Sequence, residues 1–204
     1  MKTIRILTKL LVVLALTLAV LGLPKTARAG NIFHTRGGTA SASLFSSVGC
    51  ISTSVFVFSS ESVFQDPPGP PDTSSFAFVG IFQFDGCTGY SLKSVFGSAL
   101  LADQDFQVRR NSARLNAAIP AFDFSTGMPT TVAVNLTWTC TGPLSRSSFN
   151  SHFQSPDVIF NSHSSGTFCP AQASGSVSIG PTNFAPGPLS GFLGTTRSGT
   201  VVIN

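Results

Sequence analysis

Charged side chains are scarce in this 204-residue sequence, which has 12 Lys and Arg residues and 8 Asp and Glu residues. Residues 1–29 hold five of the basic residues and no acid, so residues 30–204 carry seven basic and eight acidic side chains, a net charge of about −1. Because nucleic-acid binding through bulk charge needs a clustered basic surface, the sequence excludes that class. The 19 Phe residues among so few charges also exclude a disordered chain.

Motifs for catalysis and for cofactor or metal binding are also missing. Gly-x-Ser-x-Gly, the turn that presents a nucleophilic Ser in many hydrolases, does not occur. Neighbouring cysteines are 37, 53 and 29 residues apart, so the close ligand pairs of a zinc site are absent. We therefore predict no enzymatic activity, no cofactor and no metal site.

The N-terminus has the pattern of a Sec-type signal peptide over residues 1–29. A basic stretch precedes an apolar run from Leu10 to Leu23, and Ala27-Arg28-Ala29 puts small residues before a cleavage point at Gly30. The run is shorter than the about 20 residues of a membrane-spanning helix, although an uncleaved anchor is the alternative. The pattern predicts a secreted protein, extracellular, periplasmic or at the cell surface, with no membrane attachment after cleavage.

Export to an oxidising compartment predicts that the cysteines form disulfides, because an even number of cysteines in such a compartment indicates disulfides. Three pairings are possible, and strand register favours one of them. If residues 51–58 and 76–85 form a hairpin, Cys50 lies beside Cys87. If residues 131–141 and 167–179 pair in the same antiparallel way, Cys140 lies opposite Cys169.

Apolar side chains alternate with polar ones along most of residues 39–204. In residues 131–141, Val132, Val134, Leu136 and Trp138 share one face, and threonines occupy the other. Residues 92–101 fit both a helix and a strand, and the preceding turn residues favour a strand. We predict an all-β antiparallel sandwich, immunoglobulin-like or jelly-roll-like, with about 8–10 strands and a separate N-terminal signal helix. Residues 30–38 form a flexible mature N-terminus in this interpretation, and residues 39–204 form one domain.

Two further expectations concern the inside and outside of this domain. The strand at residues 75–85 places Phe76, Phe78, Phe82 and Phe84 on one face, and we expect such aromatic faces to form the core. Residues 143–166 are polar and rich in serine, and we expect them to form a long loop.

A few side chains are candidates for chemistry. Asp103 and Asp105 are two residues apart, which in a strand would put both carboxyls on one face, as in glycoside hydrolases; a polar loop is the alternative. His152 and His163 lie in the predicted serine-rich loop, where a shared metal and plain solvation are both open. Arg109, Arg110 and Arg114 form a basic cluster that either pairs with Asp103, Asp105 or Asp123 or captures an anionic polymer.

Glycan binding usually needs exposed Trp or Tyr platforms, and here Trp138 lies on an apolar face, which predicts a core position. Asn135-Leu136-Thr137 is an N-glycosylation sequon on the wet face of its strand. The leading hypothesis is a secreted, disulfide-linked, non-enzymatic module that binds a cell-surface glycan or protein. The alternatives are a secreted polysaccharide hydrolase using Asp103 and Asp105, and a self-assembling structural subunit that joins partners by edge-strand addition.

Overall fold

The computed structural model describes residues 32–67, 69–155 and 158–203. Regular structure in these residues consists of eleven strands, and all their pairings are antiparallel. The all-β antiparallel prediction is therefore confirmed, whereas the predicted signal peptide at residues 1–29 lies outside the described residues. In chain order the strands are β1 Ile32–Val48, β2 Ile51–Gln65, β3 Asp72–Asp85, β4 Tyr90–Leu101, β5 Phe106–Val108, β6 Ser112–Asp123, β7 Met128–Cys140, β8 Ser145–Gln154, β9 Ile159–Ile179, β10 Thr182–Asn183 and β11 Leu189–Ile203.

The hydrogen-bonded path of the sheet closes on itself. Eight strands pair in the order β1–β2–β3–β4–β6–β7–β9–β11, and β11 pairs back with β1. The narrowest contact joins β4 and β6 through three residue pairs, 95–97 with 121–123. A side chain at Gly97 would place its Cβ 2.6 Å from the Pro120 carbonyl oxygen. Glycine at this seam therefore lets the two strands come close enough to close the sheet.

Opposite walls of the closed sheet pack against each other like the two layers of a sandwich. Trp138 on β7 is fully buried, and its Nε1–H donates a hydrogen bond to the carbonyl oxygen of Ser41 on β1 at 2.7 Å. Because β7 and β1 are not neighbours in the sheet, this bond crosses the interior. The predicted core position of Trp138 is confirmed.

The interior is aliphatic, so the expectation of a phenylalanine core is wrong. Inward-facing Val55, Val57, Val79 and Ile81 are fully buried. Of the 19 Phe residues, only three are buried and eleven are exposed. A closed sheet of eight strands has an interior just wide enough for its side chains to fill. Where a strand is apolar on both faces, the face with the smaller side chains points inward and the phenylalanines point outward.

Two segments that the sequence pattern assigned to irregular structure are strands. Residues 32–38 belong to β1 and pair with β11 on one side and β2 on the other, rather than forming a flexible terminus. Residues 145–154 and 159–166 form a hairpin of β8 and β9 instead of a serine-rich loop. In both segments the strand is held by backbone pairing and has no continuous apolar face. Alternation of apolar and polar residues therefore could not predict a strand there. Residues 92–101 are in β4, as predicted.

The structure contains the disulfides Cys50–Cys87 and Cys140–Cys169, with Cα–Cα distances of 5.4 and 5.8 Å. The β2–β3 register pairs Ile51 with Asp85, which places Cys50 and Cys87 together beyond the strand ends. Cys140 pairs with Ala171 in the β7–β9 register, two residues from Cys169. These are the pairings that the register argument predicts. Two disulfides are typical of proteins from an oxidising, extracellular or periplasmic compartment.

Candidate functional site

Phenylalanines cover the outer side of β2, β3, β4 and β6. Register places Phe56, Gly80, Phe96 and Phe122 in one row across the four strands. The Phe96 ring lies 4.8 Å from that of Phe82, centroid to centroid, in edge-to-face geometry. Further pairs at 5.0–6.1 Å extend the network. We call this surface the phenylalanine face; it consists of Phe56, Phe58, Phe76, Phe78, Phe82, Phe84, Phe96, Phe122 and Phe124.

The phenylalanine face is apolar, uncharged and open to solvent. Six of its rings remain 37–62% exposed, which amounts to roughly 500 Å² of aromatic surface. Leu100, on the same side of β4, is 87% exposed. The other outward positions from Ser52 to Ser62, Ser74 to Phe84 and Ser94 to Leu100 are serine or glycine. Apolar patches above a few hundred Å² on a monomer mark interaction sites.

A second surface lies where β8 extends the sheet beyond the closed path. We call the extension the arm; it consists of residues 145–154 of β8, 159–167 of β9, 195–203 of β11 and 32–38 of β1. β8 pairs with β9 alone, and nine of its ten residues are exposed. Along β8 the arm therefore offers both of its faces, and the free edge of the strand, to solvent.

The two predicted candidate histidines lie side by side on this arm. Asn150-Ser151-His152 and Asn161-Ser162-His163 pair antiparallel, so that each His faces the Asn of the other strand. His152 Nδ1–H donates to Asn161 Oδ1, and His163 Nδ1–H donates to Asn150 Oδ1. The repeated triplet is therefore a cross-strand unit that holds both imidazole rings in place and directs each Nε2 away from the asparagines.

The opposite face of the arm has a shallow depression of about 280 Å³. Its floor is at Gly166, where an added Cβ would lie 2.7 Å from the Phe168 ring. The lining residues are Ser147, Ser148, Phe149, Ser164, Ser165, Gly166, Phe168, Thr196, Arg197 and Ser198.

Asp103 and Asp105 lie in the turn between β4 and β5 rather than in a strand. The Ala102 N–H donates to the Asp105 carboxylate at 3.3 Å, and the Asp105 N–H donates back to the Ala102 carbonyl at 2.9 Å, so Asp105 stabilises the turn. Glu61, on β2, is half-buried. Burial raises its pKa, Arg36 opposes that shift, and Asp103 adds to it.

The three clustered arginines do not hold Asp123. Arg109, Arg110 and Arg114 are exposed, whereas Asp123 is 4% exposed and forms an ion pair with Lys93 at 2.9 Å. The Ser125 hydroxyl also donates to Asp123. Burial by itself raises the pKa of Asp123, but the hydrogen bonds from Ser125 and Lys93 outweigh it and lower the pKa to about 2.

Replacing Asp123 with Asn should therefore destabilise the protein in a pH-dependent way. The folded-state pKa of about 2 is below the usual 3.8, so the stabilisation is present above pH 3.8 and is lost as the pH falls through 2. Urea denaturation at pH 7 should show a loss of about 2 kcal/mol, nearly absent at pH 2. The exposed Asp72→Asn variant is the control, with a change below about 0.5 kcal/mol. An equal loss at both pH values would show that packing, not charge, explains the effect.

Three potential metal-ligating side chains come together at one place in the described residues. Cys50, Asp85 and Cys87 have ligand atoms within 4.8 Å of one another. Both sulfurs are in the disulfide and cannot bind a metal as thiolates.

Asn135, of the glycosylation sequon, is exposed on the outer face of β7, as predicted.

Sequence reasoning missed both exposed surfaces. The phenylalanines were visible as a period-two pattern, but the pattern does not say which face is inside. The basic residues of the arm, Arg36, Arg146 and Arg197, are 110 and 51 residues apart. Only the strand register brings them together.

Comparison with known proteins gives a weak structural likeness alone. No family model matches the chain, and no curated protein matches it. A crystal structure of a protein assigned provisionally as AttH, from Nitrosomonas europaea, aligns with a TM-score of 0.33 and 14% sequence identity. The alignment covers 81% of this chain and 51% of that chain, so this chain spans about half the length of that protein. None of the described segments forms a helix of the length and apolarity needed to cross a membrane.

Proposed function

We propose that this protein is an exported, non-enzymatic binding module that assembles with a second copy of itself through the phenylalanine face. The observation that carries the proposal is the inversion of the usual arrangement: aliphatic side chains fill the interior, and nine phenylalanines cover one outer wall. Two disulfides support export to an oxidising compartment.

The size and chemistry of the face favour a protein surface as its partner. The exposed rings and Leu100 together approach the about 800 Å² that each partner contributes to a standard protein interface. A face without charge meets a copy of itself without like-charge repulsion. A glycan would need amide or charged hydrogen-bonding groups beside the rings, and the outward positions between these rings are serine or glycine.

Closure of the sheet disfavours assembly through the edges of the strands in the closed path. In the eight-stranded path each strand has a neighbour on both sides, so edge-strand addition there would require opening the ring. The free edge of β8 lies outside this path, and its ten residues are mostly polar, with Arg146 and His152 among them, which disfavours edge pairing. We therefore place the contact of the self-assembling alternative on the phenylalanine face rather than on a strand edge.

Replacing Phe96 and Phe124 together with Ser should weaken dimerisation at least tenfold, which is about 1.4 kcal/mol. Phe96 is the centre of the ring network, and Phe124, at 62% exposure, is its most exposed ring. Sedimentation velocity of the oxidised mature protein over a concentration series measures the monomer–dimer equilibrium. We expect the double variant to remain monomeric where the natural protein dimerises.

The control is Phe153→Ser, because Phe153 is similarly exposed at 61% but lies on β8. It should dimerise like the natural protein. A natural protein that stays monomeric throughout the series, or a control that loses dimerisation as strongly as the double variant, would refute the proposal. Far-UV and near-UV circular dichroism would establish that all three proteins are folded.

A further inference from the structure

We propose that one face of the arm binds an acidic polysaccharide. All three histidines of the sequence and three of the seven basic residues after residue 29 lie there, and all six side chains are exposed. We call this surface the basic face; it consists of His34, Arg36, Arg146, His152, His163 and Arg197. The proposal uses different residues from the phenylalanine face and does not depend on it.

Strand register places these side chains on one face. The β1–β11, β11–β9 and β9–β8 pairings run without a bulge, so directly opposed residues share a face across all four strands. One row reads His34, Gly199, His163 and Asn150, and the next reads Arg36, Arg197, Ser165 and Ser148. Arg146 lies in the third row, opposite Thr167.

Charge is completely segregated between the two faces of the arm. The alternate positions on the other face are Phe, Ser, Thr, Val and Gly, with no charged residue among those described. Arg36 and Arg197 are direct cross-strand partners, an arrangement that is destabilising for like charges. The acidic side chain nearest in register is that of Glu61 on β2, which lies opposite Gly38 of β1 and interacts with Arg36. Asp103 interacts with Glu61, and these two carboxylates do not balance three arginines, so the face is suited to an external anion.

The chemistry of the face favours a polysaccharide over a nucleic acid. Hydroxyl and amide groups of Ser148, Ser165, Asn150 and Asn161 lie between the cations and can bond to sugar hydroxyls. Phenylalanines on which bases could stack are on the opposite face, as for Phe149 and Phe153.

The face also has room for a ligand. Gly199 has no side chain, and the His34 ring lies 3.7 Å from where a Cβ at Gly199 would be. Across β8, β9, β11 and β1 the face is about 14 Å wide, the width of three strand spacings, which suits a chain of several charged sugars.

Binding to heparin and alginate, which present sulfate and carboxylate groups, tests the proposal with the oxidised mature protein. We expect saturable binding to one or both in isothermal calorimetry at moderate salt, and weaker binding as salt increases. Replacing Arg36 and Arg197 with Gln should weaken binding at least tenfold. The same double variant should be as heat-stable as the natural protein or more so, because it removes a like-charge pair; this readout does not depend on any ligand.

The matched control replaces Arg109 and Arg110 with Gln, the same change in charge at exposed arginines outside the arm. It should bind within about twofold of the natural protein. Equal losses in both double variants would mean that bulk charge is responsible, and would overturn the proposal. So would the absence of binding to either polysaccharide, or tighter binding to single-stranded DNA than to both. The Phe96→Ser and Phe124→Ser double variant should keep its polysaccharide binding, which separates this test from that of the dimer.

Discussion

Replacing Trp138 with Ala should lower the free energy of unfolding by about 3–5 kcal/mol, the range found when a buried aromatic side chain is removed. Trp138 is the largest fully buried side chain, and it faces the interior of the closed sheet from β7. Removing it leaves a cavity between walls that strand pairing holds in place, so the interior cannot collapse to fill the space. Urea denaturation followed by far-UV circular dichroism measures the loss without needing tryptophan fluorescence.

Trp138→Phe separates the packing from the hydrogen bond. Phenylalanine keeps most of the ring volume but leaves the Ser41 carbonyl without the Nε1–H donor that lies 2.7 Å away. This variant should lose about 1–3 kcal/mol, less than the Ala variant, because the carbonyl remains buried and unpaired. If Trp138→Ala cost under about 1 kcal/mol, the ring could not lie between two packed walls.

Sequence patterns predicted the strands best where one face is polar and exposed and the other is apolar and buried. β7 alternates Val132, Val134, Leu136 and Trp138 with polar residues, and all four are buried as predicted. β3 is apolar on both faces, so its period-two pattern established a strand without showing which face is inside. The volume available inside the closed sheet decides that question, and it depends on the number of strands that close the sheet. That number is a property of the whole chain and cannot be inferred from any one strand.

The candidate surfaces were harder to predict because neither is a local motif. The Asn-Ser-His triplets are eleven residues apart in a segment whose composition predicts a loop, but the antiparallel hairpin pairs them residue for residue. Arg36 and Arg197 lie in the first and last strands, which are neighbours only because the sheet closes. Local patterns could predict strands and disulfides, whereas the placement of exposed side chains required the long-range register.

The burial of its sulfur atoms, more than its loop length, distinguishes one disulfide from the other. Cys50–Cys87 spans 37 residues and Cys140–Cys169 spans 29. In the chain-entropy model each should stabilise the folded protein by roughly 3.5–4 kcal/mol, and the difference in loop size changes this by only about 0.2 kcal/mol. The surroundings of the sulfurs therefore decide which bridge matters more. Cys50 and Cys87 are exposed at the ends of β2 and β3, whereas Cys169 is 3% exposed and packs in the core.

Replacing Cys140 and Cys169 with Ala should consequently destabilise the protein more than replacing Cys50 and Cys87. Both double variants lose the constraint on the unfolded chain, but the first also loses buried sulfur packing, which adds about 1 kcal/mol. Chemical denaturation of the two variants beside the oxidised natural protein measures the order. Reduction of the natural protein should lower its melting temperature by many degrees, because losing both bridges removes stability comparable to that of a whole small domain. A larger loss in the Cys50 and Cys87 variant would show that the end of the β2–β3 hairpin, not the β7–β9 junction, depends more on its disulfide.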